Sequence, residues 1–442
     1  MKNKLLLIAL SSVSLFSCSI KDETDIYHGS SDMTANLNLD WNTAANKCSK
    51  ILSTDFLPDN TYFCNEVWWD MTQSGDKQEQ FVKGDISLIA QSQAIDVLID
   101  AYGRTGTNDY LSKAESILAS VYATNGQSYM DAASYGNSEF MGITLLRLYT
   151  ASKNDEYLTA AKNIFTVIAE AATSKQSGAD ASETPVPGAI GVPVSASQPD
   201  TRTTLSNATA VIFAEKLFNA TNDQSCLDFA SHIFSFLEQN LFDGSGQAYA
   251  SVNMDELGTT VQSQDKTSYS ASQGLMIGAS LALYNHSSDK EAKAQYLKYA
   301  NLFAQFQVYG SYSTSRQIIY KQFPVFMPDY VGLPGAVDRS LMLYRGIFFR
   351  YLKDLIGISD NTSTKTYRIC LDSNVESVWL YGQENESCLW GTRWYEAPYT
   401  GEYVSSTDVS DPYVSKKVVS LEAEIAGATL VEMKAELSKN KN

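Results

Sequence analysis

The sequence predicts an all-α fold, an (α/α)6 toroid or barrel of helical hairpins, and three observations carry that expectation. A block recurs along the chain. It reads Leu98-Ile99-Asp100-Ala101-Tyr102, a polar turn and Tyr110-Leu111. It returns as Leu145-Leu146-Arg147-Leu148-Tyr149 before Tyr157-Leu158, and as Glu215-Lys216-Leu217-Phe218 before Cys226-Leu227. The aromatic-to-anchor step is 8 residues in each copy, from 102 to 110, 149 to 157 and 218 to 226. A fourth copy, Tyr284 to Tyr296, carries 4 extra residues. Within each block the apolar spacing is helical. Ile95, Leu98, Ile99 and Tyr102 share one helix face, and Tyr110, Ala114, Ile117, Leu118 and Val121 repeat as Tyr157, Ala161, Ile164, Phe165 and Ile168. The turns hold stop and start signals. Gly106 can end one helix and Thr107 or Asn108 begin the next, with Asn154-Asp155 and Asn222-Asp223 in the same role.

Such a hairpin cannot bury its apolar face alone, so neighbours must stack, and roughly six hairpins fill the chain. A closed ring fits better than an open solenoid, because no polar terminal cap is visible.

The elements follow in order. Met1-Lys2-Asn3-Lys4, the apolar run Leu5 to Leu10 and Leu15-Phe16-Ser17-Cys18 read as a bacterial lipoprotein signal over residues 1–17. The run is too short to span a bilayer. Cys18 is then the lipidated residue and the membrane anchor. Residues 18–36 are polar and read as a tether. The acidic stretch Ser19-Ile20-Lys21-Asp22-Glu23 resembles a surface-export signal, so the expected address is the outer membrane, facing outward. One domain is expected over 37–437. Long loops are expected at 174–204, 243–268 and 308–338, and loops of this kind wall clefts. Beyond Ile358 the spacing of Tyr367, Leu371, Val375 and Trp379 is again helical, and this tail is expected to complete the ring.

Composition narrows the partners. The formal net charge is −17 and no basic run appears, which argues against nucleic acid. Twenty-six tyrosines and 6 tryptophans supply both core and sugar platforms. With Cys18 lipidated, Cys48, Cys64, Cys226, Cys370 and Cys388 remain. An odd number leaves at least one thiol unpaired, and Cys226, at a core position, is expected to be it. Cys48 with Cys64 and Cys370 with Cys388 are candidate local bridges. The three histidines are scattered and no CxxC occurs, so no metal or other cofactor is expected.

Several motifs, in order, carry a resemblance. They are Gln91 to Tyr102, Gly142-Ile143-Thr144-Leu145-Leu146-Arg147, Pro187-Gly188-Ala189-Ile190-Gly191, and Asn207 with Ala210. Gln273-Gly274-Leu275-Met276-Ile277-Gly278-Ala279, Tyr344-Arg345-Gly346-Ile347-Phe348-Phe349 and Trp390-Gly391-Thr392-Arg393-Trp394 complete the set. Together they resemble glycoside hydrolase family 76, the endo-α-1,6-mannanases, over about residues 85–430. The resemblance implies a six-hairpin fold and an α-mannan or related polysaccharide partner. It also implies a catalytic Asp-Asp pair. Glu139 and Phe140 match the family's Glu and Trp, which places the pair at Gly136 and Asn137.

Glycoside hydrolysis needs two carboxyl groups across the scissile bond, and neither Gly136 nor Asn137 offers one. The family's loop Trp falls at Val192, an aromatic at Ile89, and a Tyr-Asn at Ala271-Ser272. Three readings follow. The first is a non-catalytic surface lipoprotein that binds glycan for an uptake system shared with other surface proteins, with Asn137, Glu139, Phe140, Asn207, Gln273 and Trp394 along the cleft. The second is an active glycosidase using displaced carboxylates, Asp131 and Glu139. The third is an interaction protein whose ring no longer binds sugar, favoured if Trp68, Trp69, Trp390 and Trp394 are all buried.

Overall fold

A computed structural model describes residues 37–70, 79–173, 186–309, 319–320, 323–324, 326, 339–358, 361–383, 387–398 and 416–439. The expected signal over 1–17, the expected tether over 18–36 with Cys18, and most of the expected 308–338 loop lie outside them.

Twelve helices are present among the described residues. They are α1 (Trp41–Leu52), α2 (Leu88–Thr105), α3 (Asn108–Thr124), α4 (Tyr135–Ser152), α5 (Asp155–Ala171), α6 (Thr204–Thr221), α7 (Gln224–Asn240), α8 (Ser270–His286), α9 (Lys290–Tyr309), α10 (Tyr344–Ile356), α11 (Asn361–Tyr381) and α12 (Leu421–Lys439). Even-numbered helices form the inner ring. Each packs on the next, from α2 through α4, α6, α8 and α10 to α12, and α12 returns to α2. Odd-numbered helices pack outside. The fold is therefore the expected helical toroid, closed by α12 on α2. The tail helix α11 joins the outer layer, with Tyr367, Leu371 and Val375 buried.

Burial separates the layers. Outer α3 buries a single stripe, Ala114, Ile117, Leu118 and Val121, as an amphipathic helix should. Inner α4 buries residues around its whole circumference, including Ser138, Glu139, Phe140, Gly142, Thr144 and Leu145. Inner helices approach closely. A Cβ on Gly274 of α8 would stand 2.5 Å from the Phe348 Cα of α10.

The hairpin turns use the chemistry read from the sequence. Gly106 ends α2 in the left-handed region (φ 71°), as Lys153 does for α4 (φ 61°) and Asn222 for α6 (φ 59°). Asn154 and Asp223 then cap α5 and α7, accepting from the Glu156 and Ser225 amides at 3.0 Å each. Thr107 holds the cap position of α3 but makes no side-chain capping bond.

Short turns join each inner helix to its outer partner, and longer connections lead back. The long connections therefore gather at the end where inner helices begin. They carry strands: β1 (Glu66–Asp70), β2 (Glu79–Val82), β3 (Pro193–Ser195), β4 (Gln198–Thr203), β5 (Ser251–Met254), β6 (Val261–Asp265), β7 (Ile319–Tyr320), β8 (Phe323–Pro324) and β9 (Lys416–Ser420). Two regions expected as loops thus hold an antiparallel sheet in the order β3-β4-β5-β6. Its alternation is too brief to stand out in sequence, as in β5, where only Val252 and Met254 face inward. A second sheet, β2-β1-β9, pairs Glu66 with Ser420 and joins the two ends of the domain.

The cysteine expectation needs correction. Cys48, Cys64, Cys226, Cys370 and Cys388 are all buried free thiols. The Cys388 thiol, not Cys64, is among the groups that act on Cys48, whose pKa burial and that neighbour raise. The helix α1 packs against the far end of the chain, so sequence proximity misleads. Cys226 is the buried thiol expected, its pKa pushed up to about 11 by burial.

Candidate functional site

The mouth of the ring is built from the first turns of the inner helices, whose partial positive ends converge there. At α4 the local structure is tightly pinned. Ser134 caps the helix, accepting from the Asn137 amide at 3.2 Å. Before it, the Asn125 side chain donates to the Ser128 and Met130 carbonyls at 2.9 and 3.2 Å. The Asp131 amide donates to Ser138 Oγ at 2.8 Å. These bonds fix the 125–134 connection over the start of α4.

That geometry brings two sequence-predicted residues together. Asn137 is half-buried, and its Nδ2 donates to Asp131 Oδ2 at 2.8 Å. Asp131 Oδ1 accepts from the Ala133 amide at 2.8 Å. Gly136 is buried beside them. A Cβ built on it would lie 2.8 Å from Leu205 Cδ2, at the start of α6. The space beside residue 136 is therefore filled from across the mouth.

The remaining candidates turn away from solvent, which corrects their expected place along the cleft. Glu139 is fully buried, with no partner for either carboxyl oxygen, and burial lifts its pKa well above the usual carboxylate range. Burial favours its protonated form, and sealed in the core it does not face Asp131 as a second working carboxylate. Phe140 is core. Asn207 clamps a loop. Its Oδ1 accepts from the Val192 amide at 2.7 Å, and its Nδ2 donates to the Val192 and Thr203 carbonyls at 3.0 and 2.9 Å. Gln273, oriented to satisfy its neighbours, donates to the Gly246 carbonyl at 2.8 Å. It accepts from the Ala248 amide at 3.0 Å and the Ser268 hydroxyl at 2.6 Å. Trp394 is fully buried under the Arg345 guanidinium, 4.1 Å from its ring centroid.

The other tryptophans divide, so the four are not all buried. Trp390 is buried, and Trp68 is half-buried under Lys416, whose Nζ stands 3.7 Å from its ring centroid. The Trp69 side chain lies outside the described residues. A residue on an inner helix faces the core over most of its circumference, so only its first turn reaches the mouth.

Three residues that sequence reasoning missed occupy such first turns. Tyr135 opens α4, Tyr269 caps α8 and Tyr344 opens α10, and all three are half-buried. Tyr269 and Tyr344 pack edge to face, with centroids 5.7 Å apart. The available signal was positional: each stands at the boundary where an inner helix begins.

Comparisons with known proteins agree with this architecture. The α-1,6-mannanase of Salegentibacter sp. HEL1_6 superposes with a TM-score of 0.67 at 20% identity, over 90% of this chain and 100% of that one. An inactive variant of the same enzyme, with two aspartates replaced by alanine and α-1,6-mannotetrose bound, gives 0.68 at 21% identity over 90% and 100%. A family 76 mannosidase from Bacteroides thetaiotaomicron gives 0.65 at 14% identity, over 91% and 100%. No curated protein matches. The profile of glycosyl hydrolase family 76 matches residues 59–425, most of the chain, and the chain belongs to that family.

Proposed function

We propose that this chain is a non-catalytic family 76 protein that holds an α-mannan-type polysaccharide at the mouth of its ring. The observation that carries the reading is the start of α4. The positions where the resemblance expects two aspartates are Gly136, its side-chain space taken by Leu205, and Asn137, a neutral amide tied to Asp131. Neither position can protonate a leaving group or attack a sugar. The fallback acid Glu139 is buried, and burial favours its protonated form. The solved Salegentibacter variant named as inactive, yet holding α-1,6-mannotetrose, supports separating binding from cleavage on this fold. Tyr135, Tyr269 and Tyr344, half-buried at the starts of inner helices, are the aromatic residues proposed to meet sugar there. The signal-like segment before Cys18 and the acidic residues after it support a lipid anchor on Cys18 and a place on the outer surface of the outer membrane, beside other glycan-uptake proteins.

The burial of Glu139, Phe140, Asn207, Gln273 and Trp394 favours a second reading, an interaction protein that no longer binds sugar. One experiment separates them: calorimetry and product chromatography on an α-1,6-mannan backbone. Heat of binding without oligosaccharide release is expected, with Tyr269→Ala weakening it by about tenfold, or ~1.4 kcal/mol. Oligosaccharide release overturns the non-catalytic reading. Absence of both heat and release moves the assignment to the interaction protein.

A further inference from the structure

At the end of the ring opposite the mouth, the last turns of α2, α4 and α6 enclose a cavity of about 690 Å³. That volume falls within the roughly 300–1,000 Å³ of small-ligand pockets. Tyr102, Gly103, Tyr149, Lys216 and Asn219 are among its walls.

Gly103 is the residue that sets this cavity apart. It lies inside α2, before the left-handed Gly106 that ends the helix. Its own backbone is helical, a conformation open to any residue. Glycine weakens a helix interior relative to alanine, and elsewhere in the inner ring a close contact explains it. A Cβ on Gly142, Gly278, Gly346 or Gly427 would lie 2.5, 2.6, 2.9 or 2.4 Å from a neighbouring atom. A Cβ on Gly103 would meet nothing within 4 Å, only the open cavity. Neither a packing partner nor a backbone angle requires glycine there. What it preserves is the space of the cavity.

The walls indicate what kind of molecule fits that space. Their carboxylates are already paired. Asp100 holds Arg147 on one oxygen and Arg350, at 2.7 Å, on the other, and Glu436 takes Lys353 Nζ at 2.7 Å. The inner helices turn their partial negative ends to the cavity, and exposed Lys153 and half-buried Lys216 stand against them. With neither sign in excess, the site suits a neutral ligand. Tyr102 and Tyr149 are half-buried, and their hydroxyls have no hydrogen-bond partner among the described residues. Lys153 Nζ stands 5.6 Å from the Tyr149 ring centroid, which leaves Tyr102 as the more open ring. Asn219 is exposed and donates Nδ2 to Glu215 at 2.6 Å, while its side-chain oxygen accepts from no described residue. Rings with an apolar body and an unsatisfied polar tip, beside further donors and acceptors, match a sugar, whose C–H face is apolar and whose rim is hydroxyl.

We propose that this cavity is a second carbohydrate site, taking a neutral sugar unit against Tyr102 in the space that Gly103 keeps open. The identity of the polymer rests on the reading of the mouth as an α-mannan site; the existence of this site does not.

The test is hydrogen exchange of the full chain with α-1,6-mannotetrose, and separately with an α-1,4-linked glucose tetramer. It is read at the last turns of α2 and α4 and at the mouth. Saturable protection of the two last turns by mannotetrose is expected. Protection there by the glucose tetramer instead keeps the site and breaks its link to the polymer at the mouth. Gly103→Leu fills the cavity and favours the helix. It should raise Tm while weakening the response at α2 and α4 by about tenfold. Gly103→Ala adds only a methyl group, so it should gain stability and keep the response. In both variants the mouth responds as in the parent. Protection of the mouth alone overturns this proposal and leaves that of the mouth standing; protection of the last turns alone does the reverse. No protection of the last turns by either sugar overturns it. So does a Gly103→Leu protein that gains stability and keeps the full response.

Discussion

Glu139 shows how one side chain can match a family motif and still lie outside the chemistry. It stands two residues after Asn137 on the same helix, yet its carboxyl group is sealed in the core with neither oxygen partnered. Burial without a counter-charge disfavours the ionised form, so the folded protein holds the proton to a higher pH than the unfolded chain does. The unfolded chain releases it near the ordinary value of 4.5. Between that value and the higher folded pKa, the folded state therefore binds more protons than the unfolded one, and stability falls as pH rises. The slope for one proton is about 1.4 kcal/mol per pH unit. Glu139→Gln keeps the shape and removes the titration. It should match the parent near pH 4 and be the more stable protein at pH 7, with the gap opening as pH rises through the window above 4.5. Urea unfolding at several pH values measures this. A gap that is constant with pH would show that Glu139 is not the proton-holding group.

At the scale of elements, the decisive contact is between the first turns of α4 and α6. Leu205 reaches across to the face of Gly136, so an aspartate at 136 needs space that Leu205 occupies. Gly136→Asp with Asn137→Asp should therefore push the half-buried Leu205 side chain aside and cost about 1 kcal/mol, the low end for overpacking. Adding Leu205→Ala should recover that loss, and any oligosaccharide release from mannan should appear only in the triple variant. A double variant that is as stable as the parent would remove Leu205 as the obstacle. This contact also marks a boundary of what the sequence discloses. The hairpins were legible because helical spacing and turn residues act locally, as with Tyr102, Gly106 and Tyr110. The mouth was not. Inner helices are apolar around their circumference, so periodicity cannot tell that Asn137 faces outward while Glu139 and Phe140 face inward. Nor can local spacing show that Asn207 is spent holding Val192, or that a leucine at 205 closes on a glycine at 136.

For the whole molecule, the question is what holds a ring shut when its last inner helix must find its first. Here α12 takes α1 as its outer partner and α2 as its inner neighbour, so one seam joins residues far apart in sequence. The sheet pairing β1 with β9 covers the seam at the mouth end. Within it, Glu432 of α12 grips Arg104 of α2 with two bonds, Nε to Oε2 at 2.7 Å and Nη2 to Oε1 at 2.9 Å. Ser49 of α1 donates to the same carboxylate at 2.7 Å. Three helices thus meet on one buried group, and its removal strands a buried guanidinium. Glu432→Gln should cost about 3–5 kcal/mol. Lys83→Ala, which breaks a partly exposed pair with Asp59, should cost less than about 1 kcal/mol. If the ring unfolds as one unit, urea titration of Glu432→Gln will show a lower midpoint with an unchanged m-value. A reduced m-value or a second transition would instead show the seam opening while the other hairpins stay folded. A cost no greater than that of Lys83→Ala would place closure in the packing of α12 and the β1–β9 pairing rather than in this ion pair.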